Sequence, residues 1–416
     1  MVSPELERPD GPFAIRLFNW VGRRLERCGV CPDRLTEASI LRAARRQARL
    51  SDFGDDGFRV PLRRLVQSCR DEARLHPFGR VLMWLRLIEL VANRLKIRDE
   101  LKRHPEILEV PIRRPLFVLG LPRTGTTLLY NLLAQDPASR PLLTWEAFWP
   151  APPPERDTRD TDPRIRQARI LVKLTHWLAP RFPLVHQLTP DGPEECTFLT
   201  MNTFVSPGFL MLADLPGYEA WLWSLGFEER VAAYEDYRRQ LQLLQWRCSA
   251  DHWVLKSPVH STALDALLHL FPDACAVQTH RDPARVVPSL CSLFSILRGM
   301  GSDEIDPLAM GPRIAETCAE IVGRAMAARD AAPDRVLDVR YPEIIGDPIG
   351  TVHRIYEHFG YERDDRMDAR MKRWLAENPR HKEGVHRYDL GQFGLHQGDI
   401  DRLFGPYRER YAIARE

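Results

Sequence analysis

Gly120-Leu121-Pro122-Arg123-Thr124-Gly125-Thr126-Thr127 follows the apolar run Pro115-Leu116-Phe117-Val118-Leu119 and leads into Leu128-Leu129-Tyr130-Asn131-Leu132-Leu133. Strand, loop, helix is the setting in which a phosphate-binding loop is meaningful. Backbone N–H groups at the start of a helix present partial positive charge, so such a loop holds an anion without special side chains. In the ATP- and GTP-binding version, Gly-x-x-x-x-Gly-Lys-[Ser/Thr], the lysine reaches the terminal phosphates and the hydroxyl binds magnesium. Here Thr126 stands where that lysine belongs, and a cation, Arg123, lies inside the loop instead. The segment therefore suits a phosphate-like group other than the end of a triphosphate.

Three later junctions repeat one device, a strand followed by a capping residue and proline. They are Trp253-Val254-Leu255-Lys256 before Ser257-Pro258, Ala276 to Arg281 before Asp282-Pro283, and Val336 to Tyr341 leading to Asp347-Pro348. Ser or Asp at the N-cap with Pro in the first turn is a strong helix start. With the opening loop this makes at least four strands feeding helices. The predicted fold class is α/β, a mostly parallel sheet flanked by helices in the manner of P-loop nucleotide kinases. Ligands in such folds bind beyond the carboxyl ends of the strands, and those ends carry Arg123, Lys256, Arg281 and Tyr341.

The domain reading is an N-terminal helical region over 1–110, an α/β core over 111–361 and a C-terminal cap and tail over 362–416. A helical insertion at about 164–250 is expected to cover the ligand edge of the sheet. In the first region, Arg80–Leu101 sets Val81, Trp84, Leu85, Ile88, Val91, Ala92 and Leu95 at helical spacing, a packing face. The stretch Trp145 to Pro163, dense in proline and aromatics, reads as a rigid loop.

The 416 residues suffice for a substantial core, and 59 Lys plus Arg against 57 Asp plus Glu leave a net charge of +2. Such a balance supplies no global attraction for nucleic acid, so an anionic ligand has to be drawn in locally. The 8 cysteines are scattered, and the single pair Cys28-x-x-Cys31 lacks the second pair that a zinc site needs. The others sit among apolar residues as reduced core thiols. No secretory leader opens the chain and no apolar run nears the ~18 residues of a membrane span. A cytoplasmic protein is the expectation.

At these residues the chain resembles the sulfotransferase family that uses 3′-phosphoadenosine-5′-phosphosulfate (PAPS), and its bacterial branch most closely. The resemblance covers residues 113–360 well and the termini poorly. It implies that Arg123, Thr124, Gly125, Thr126 and Thr127 wrap the 5′-phosphosulfate. It also implies that Arg281 and Ser289, at the family's spacing of eight residues, bind the 3′-phosphate. Arg281 at a strand end and Ser289 two turns into the helix can face one anion, the arginine giving a fork of charge-assisted donors. Lys256 matches a lysine that contacts the transferring sulfuryl group, where a cation stabilises charge gathering on the leaving oxygen. Tyr341 resembles the family's tyrosine beside the adenine. Arg380-His381-Lys382-Glu383-Gly384 loosely resembles the loop that closes over the 3′-phosphate, which assigns Lys382 to the nucleotide.

The general base is the least determined role. The histidine used by animal cytosolic members falls on Pro258 here, so that assignment fails. Other members use a glutamate some way past the loop, and Glu146, twenty residues after Thr126, is placed to match. Beside Trp145, Phe148 and Trp149 its pKa is expected to rise toward that of a useful base. His186, His260 and the pair Glu194-Glu195 are the alternatives. The function this implies is sulfuryl transfer from PAPS, as cosubstrate, to a hydroxyl of a small-molecule, lipid or carbohydrate acceptor, with no metal expected. The rivals are a degenerate P-loop kinase or NTPase, disfavoured by Thr126, and a non-catalytic nucleotide-binding module. Aromatic and aliphatic residues at Trp145–Trp149 and Phe198–Leu225 suggest a partly apolar acceptor pocket. No nucleic-acid partner is expected.

Overall fold

A computed structural model describes residues 12–29, 34–379 and 389–416. Five strands, β1 (Leu116–Gly120), β2 (Ser139–Pro141), β3 (His252–Lys256), β4 (Cys275–His280) and β5 (Val336–Arg340), form one sheet in the order β2-β3-β1-β4-β5. Every pairing is parallel, with Leu116 of β1 opposite Val254 on one side and Cys275 on the other. Every residue of β1, β3 and β4 is buried, as strands with both faces covered require.

Alternate residues of these strands feed two separate cores. Phe117, Leu119, Trp253, Leu255 and Ala276 pack with Tyr237, Leu241, Leu264 and Leu267 on one face. Leu116, Val118, Val254, Val277 and Val339 pack with Leu129, Leu133, Ile355 and Tyr356 on the other. A third and larger core lies away from the sheet. In it the helices Glu37–Ala48, Arg59–Asp71 and Pro77–Arg103 meet Phe204, Phe209 and Tyr218 of the insertion. Residues of the helices Pro283–Gly299, Pro307–Ala331 and Gln397–Arg410 complete it. These three N-terminal helices thus bury apolar faces against the rest of the chain, whereas the helix before them, Phe13–Arg27, leaves Phe13, Leu17 and Trp20 exposed.

The three predicted helix starts form as their sequence implies. Ser257 accepts from Val259 N–H at 3.2 Å, Asp282 from Ala284 N–H at 3.0 Å and Asp347 from Gly350 N–H at 2.9 Å. Ser257 and Asp282 turn the chain from a strand into a 3-10 turn, Pro258–Thr262, and a helix, Pro283–Gly299. Asp347 instead opens the helix Pro348–Phe359 after the short helix Tyr341–Gly346 that follows β5.

Two local expectations change. Leu85, assigned to a packing face, is half exposed. The helix Pro77–Arg103 is gripped on a wider arc that also buries Met83, Leu87 and Leu90, and Leu85 falls outside it. The segment from Trp145 to Pro163 is not wholly irregular, because a short helix, Thr144–Phe148, and a 3-10 turn, Arg156–Thr161, lie there. Cys69, Cys196, Cys248, Cys275, Cys291 and Cys318 are buried free thiols, and Cys28 is free and exposed. Cys31 lies outside the described residues. Among the described residues no helix is long and apolar enough to cross a membrane.

Candidate active site

With β1 flanked by β3 and β4, the loop after Gly120, Lys256 at the end of β3 and Arg281 after β4 leave neighbouring strand tips. Close backbone approach anchors the loop. Gly120 sits at φ +129°, and a Cβ there would lie 2.5 Å from the carbonyl oxygen of Thr279. Thr124 turns inward, its hydroxyl 2.6 Å from Leu121 O and 2.5 Å from Thr279 Oγ1. Its side chain therefore pins the loop to β4, and any contact of Thr124 with an anion falls to its N–H. Gly125, at φ +93°, lies under Tyr341 and Ile344, which a Cβ would meet at 3.2 and 3.1 Å. The helix Thr126–Leu133 begins there with no side chain capping its first N–H groups, so an anion can take that place. Arg123 is exposed at φ +70°, a left-handed conformation uncommon for a non-glycine residue, and its Nη1 donates to Val185 O at 2.9 Å.

Arg281 joins the elements on the other side of the loop. Its guanidinium stacks 3.9 Å over the Tyr341 ring, Nη1 donates to Arg123 O at 3.2 Å, and Nη2 meets the Glu416 carboxylate at 2.8 Å. Glu416 is itself tethered, its N–H donating to Asp282 at 2.8 Å. The arginine fork therefore already holds a carboxylate. Ser289 lies buried in the helix Pro283–Gly299 that Arg281 precedes. Lys382 lies outside the described residues.

Lys256 is buried, and its Nζ is 2.6 Å from Glu195 Oε1. Burial raises the Glu195 pKa, but the Lys256 ammonium and His186 outweigh it and hold the carboxyl below its ordinary range. Glu195 also accepts from Thr197 Oγ1 at 3.1 Å, and Glu194 stands 3.5 Å from His186 Nε2. Two backbone bonds bring this acidic pair to the tip of β3: Cys196 N–H to Lys256 O at 2.9 Å and Glu194 N–H to Leu142 O at 2.8 Å.

The expectation for Glu146 is corrected by its surroundings. The side chain is fully buried, with Arg140 at 2.8 Å, Arg159 at 3.2 Å and the Leu143 N–H at 3.0 Å. Burial raises its pKa, but the two guanidinium groups prevail and lower it, the opposite of the shift anticipated from its aromatic neighbours. It is the anion of an ion-pair triad with Arg140 and Arg159. His260 is also unsuited, being sealed among Phe117, Tyr234 and Tyr237 with Nδ1 3.0 Å from the Tyr234 hydroxyl. Burial drives its pKa down to about 3. The carboxylate that meets Lys256 is Glu195. Its only signal was an acidic pair after Pro193, and the bonds that carry it to Lys256 join segments sixty residues apart.

A cavity of about 1520 Å³ opens beside these residues. Arg123, Thr126, Thr127, His186, Glu194, Glu195, Arg281 and Tyr341 line one part of it. Aliphatic and aromatic side chains line most of the rest, among them Leu82, Met83, Phe182, Leu188, Leu210, Leu293, Phe294 and Ile314. The volume exceeds the roughly 300–1,000 Å³ of an ordinary small-molecule pocket.

A family model described as "Sulfotransferase family" matches residues 115–365. The curated omega-hydroxy-beta-dihydromenaquinone-9 sulfotransferase Stf3 of Mycobacterium bovis is 25% identical over 333 residues, 72% of this chain and 76% of its own length. Among solved structures, sulfotransferase STF9 of Mycobacterium avium superposes with a TM-score of 0.84 at 31% identity, covering 92% of this chain and 98% of that one. Sulfotransferase STF1 of Mycobacterium tuberculosis H37Rv gives 0.79 at 33% identity, covering 91% and 99%.

The triad makes Glu146→Gln a stability variant. Urea denaturation at neutral pH should show a loss of about 3–5 kcal/mol, because the buried Arg140 guanidinium and the half-buried Arg159 lose their counter-charge. Since the native pKa of Glu146 is lowered, its contribution is complete above the unfolded glutamate pKa and fades as pH falls through the native one. The gap between variant and wild type should therefore close in strong acid.

Proposed function

Because the chain belongs to the sulfotransferase family, we propose that it moves a sulfuryl group from PAPS to the hydroxyl of a long, largely apolar, lipid-like acceptor. The observation that carries this reading is the Lys256–Glu195 pair, 2.6 Å apart, whose carboxylate lines the same outsized, largely apolar cavity as Arg123, Thr126 and Thr127 of the loop. The acceptor of the M. bovis relative, omega-hydroxy-beta-dihydromenaquinone-9, has the required hydroxyl.

In this reading the N–H groups that open the helix Thr126–Leu133, with Arg123, Thr126 and Thr127, hold the 5′-phosphosulfate. Arg281 exchanges the Glu416 carboxylate for the 3′-phosphate, helped by Ser289, and Tyr341 lies beside the adenine. When Lys256 turns to a sulfuryl oxygen, its grip on Glu195 loosens and burial is left to raise that carboxyl toward a useful base. Glu195 then takes the proton from the acceptor hydroxyl, whose oxygen attacks sulfur in line. Lys256 and the loop N–H groups neutralise charge on the bridging oxygen as its bond to sulfur breaks. Adenosine 3′,5′-bisphosphate and the sulfate ester are the products.

The direct test is transfer from sulfur-radiolabelled PAPS to a long-chain primary alcohol, where label should move to the alcohol. Label that stays on the nucleotide with every alcohol length would sink the proposal. Lys256→Met should lower kcat about 10²–10³-fold, the loss typical of one transition-state donor, with an unchanged circular dichroism spectrum.

Arg281→Ala should weaken adenosine 3′,5′-bisphosphate by roughly 10–100-fold in calorimetry, the worth of a charge-assisted bond. Full affinity in that variant would remove the 3′-phosphate from Arg281.

Activity should rise with pH as Glu195 ionises, since only the carboxylate accepts a proton. Glu195→Gln should abolish that acid limb and lower kcat about 10²–10⁴-fold. If His186→Asn erases the limb instead, the base is the His186–Glu194 pair.

A further inference from the structure

The helix Pro163–Leu178 is anchored through Ile165, Ala168 and Val172, which are buried. Its opposite side is not polar. Ile170 is 60% exposed, Leu174 43% and Trp177 47%, and Leu184 on the following turn Phe182–Val185 is 41% exposed. Arg166, Ile170, Lys173, Leu174 and Trp177 stand at i, i+4, i+7, i+8 and i+11, so they form one stripe. Arg166, Arg169 and Lys173 are exposed. From Pro163 to Pro190 the chain holds no acidic residue. Asp162, just before it, is taken by Arg164 at 2.7 Å.

The stripe adjoins the mouth of the cavity. Leu174 and Leu184, with half-exposed Leu85, line the cavity and also reach solvent, so the opening has an apolar rim.

We propose that this face docks on an anionic phospholipid bilayer, setting the rim of the cavity against the membrane so that a lipid acceptor enters without crossing water. The inference rests on the lipid-acceptor reading above. Apolar side chains including a tryptophan, interleaved with cations, match the boundary between acyl chains and anionic headgroups. A protein partner fits less well, since lysine is depleted from interface cores. A symmetric contact between two copies would bring Arg166 and Lys173 against their own like charges. Attachment through such an interfacial face is peripheral and reversible.

The test is co-sedimentation of the full chain with vesicles of phosphatidylcholine alone or mixed in equal parts with phosphatidylglycerol. The protein should pellet with the mixed vesicles at low salt and be released at high salt. Arg166→Gln with Lys173→Gln should lower partitioning roughly twentyfold, about fivefold per cation. Ile170→Ser with Trp177→Ser should lower it more than about tenfold. None of these four residues lines the cavity, so both double variants should sulfate a short soluble alcohol as the wild type does, while losing activity on a vesicle-borne one. No binding of wild type to the mixed vesicles, or undiminished binding of both double variants, overturns the proposal. So does a dimer, seen by analytical ultracentrifugation, that Ile170→Ser with Trp177→Ser splits in a protein that ignores vesicles. A wild type that binds mixed vesicles yet transfers no label from PAPS would refute the functional reading and leave the docking surface standing.

Discussion

The parallel placement of β1 between β3 and β4 is the constraint on which the rest depends. Parallel strands put all their carboxyl ends on one edge, where the chain has to turn and where backbone groups are free of ladder hydrogen bonds. In this sheet that edge gathers the anion loop, Lys256 and Arg281. The approach is close enough that Gly120 has no room for a Cβ beside Thr279. The Thr124–Thr279 hydroxyl contact at 2.5 Å then ties the loop to the strand that leads to Arg281. Loop geometry and arginine position are therefore one property.

The cations of this edge rest against carboxylates. Lys256 holds Glu195 and Arg281 holds Glu416, each pair drawn from segments far apart in the chain. A buried lysine without a counter-charge is costly, so the Glu195 carboxylate offsets the burial of Lys256. The Glu195 carboxylate of that pair also lines the cavity. Glu146 shows the contrast: it is buried between Arg140 and Arg159 and does not line the cavity.

The strand-loop-helix at 115–133, the capped junctions at Ser257, Asp282 and Asp347, and the family itself were all legible, because each is written in contiguous residues with local physics. The parallel sheet followed from their alternation. Glu146 was misjudged because its neighbours in sequence are aromatic, whereas the groups that set its charge, Arg140 and Arg159, reach it by folding. Leu85 was misassigned for a related reason: helical spacing shows that a face is apolar, but not whether a helix or an open cavity lies opposite it.

By itself, then, the sequence determined the elements, their caps and the family, all encoded within spans of a few residues. Tertiary structure alone decided which carboxylate meets Lys256, that Glu416 sits on Arg281, and that three groups of helices leave a large apolar cavity at the loop. Those outcomes depend on distances between segments tens to hundreds of residues apart, and a linear pattern carries no record of them until the cores close.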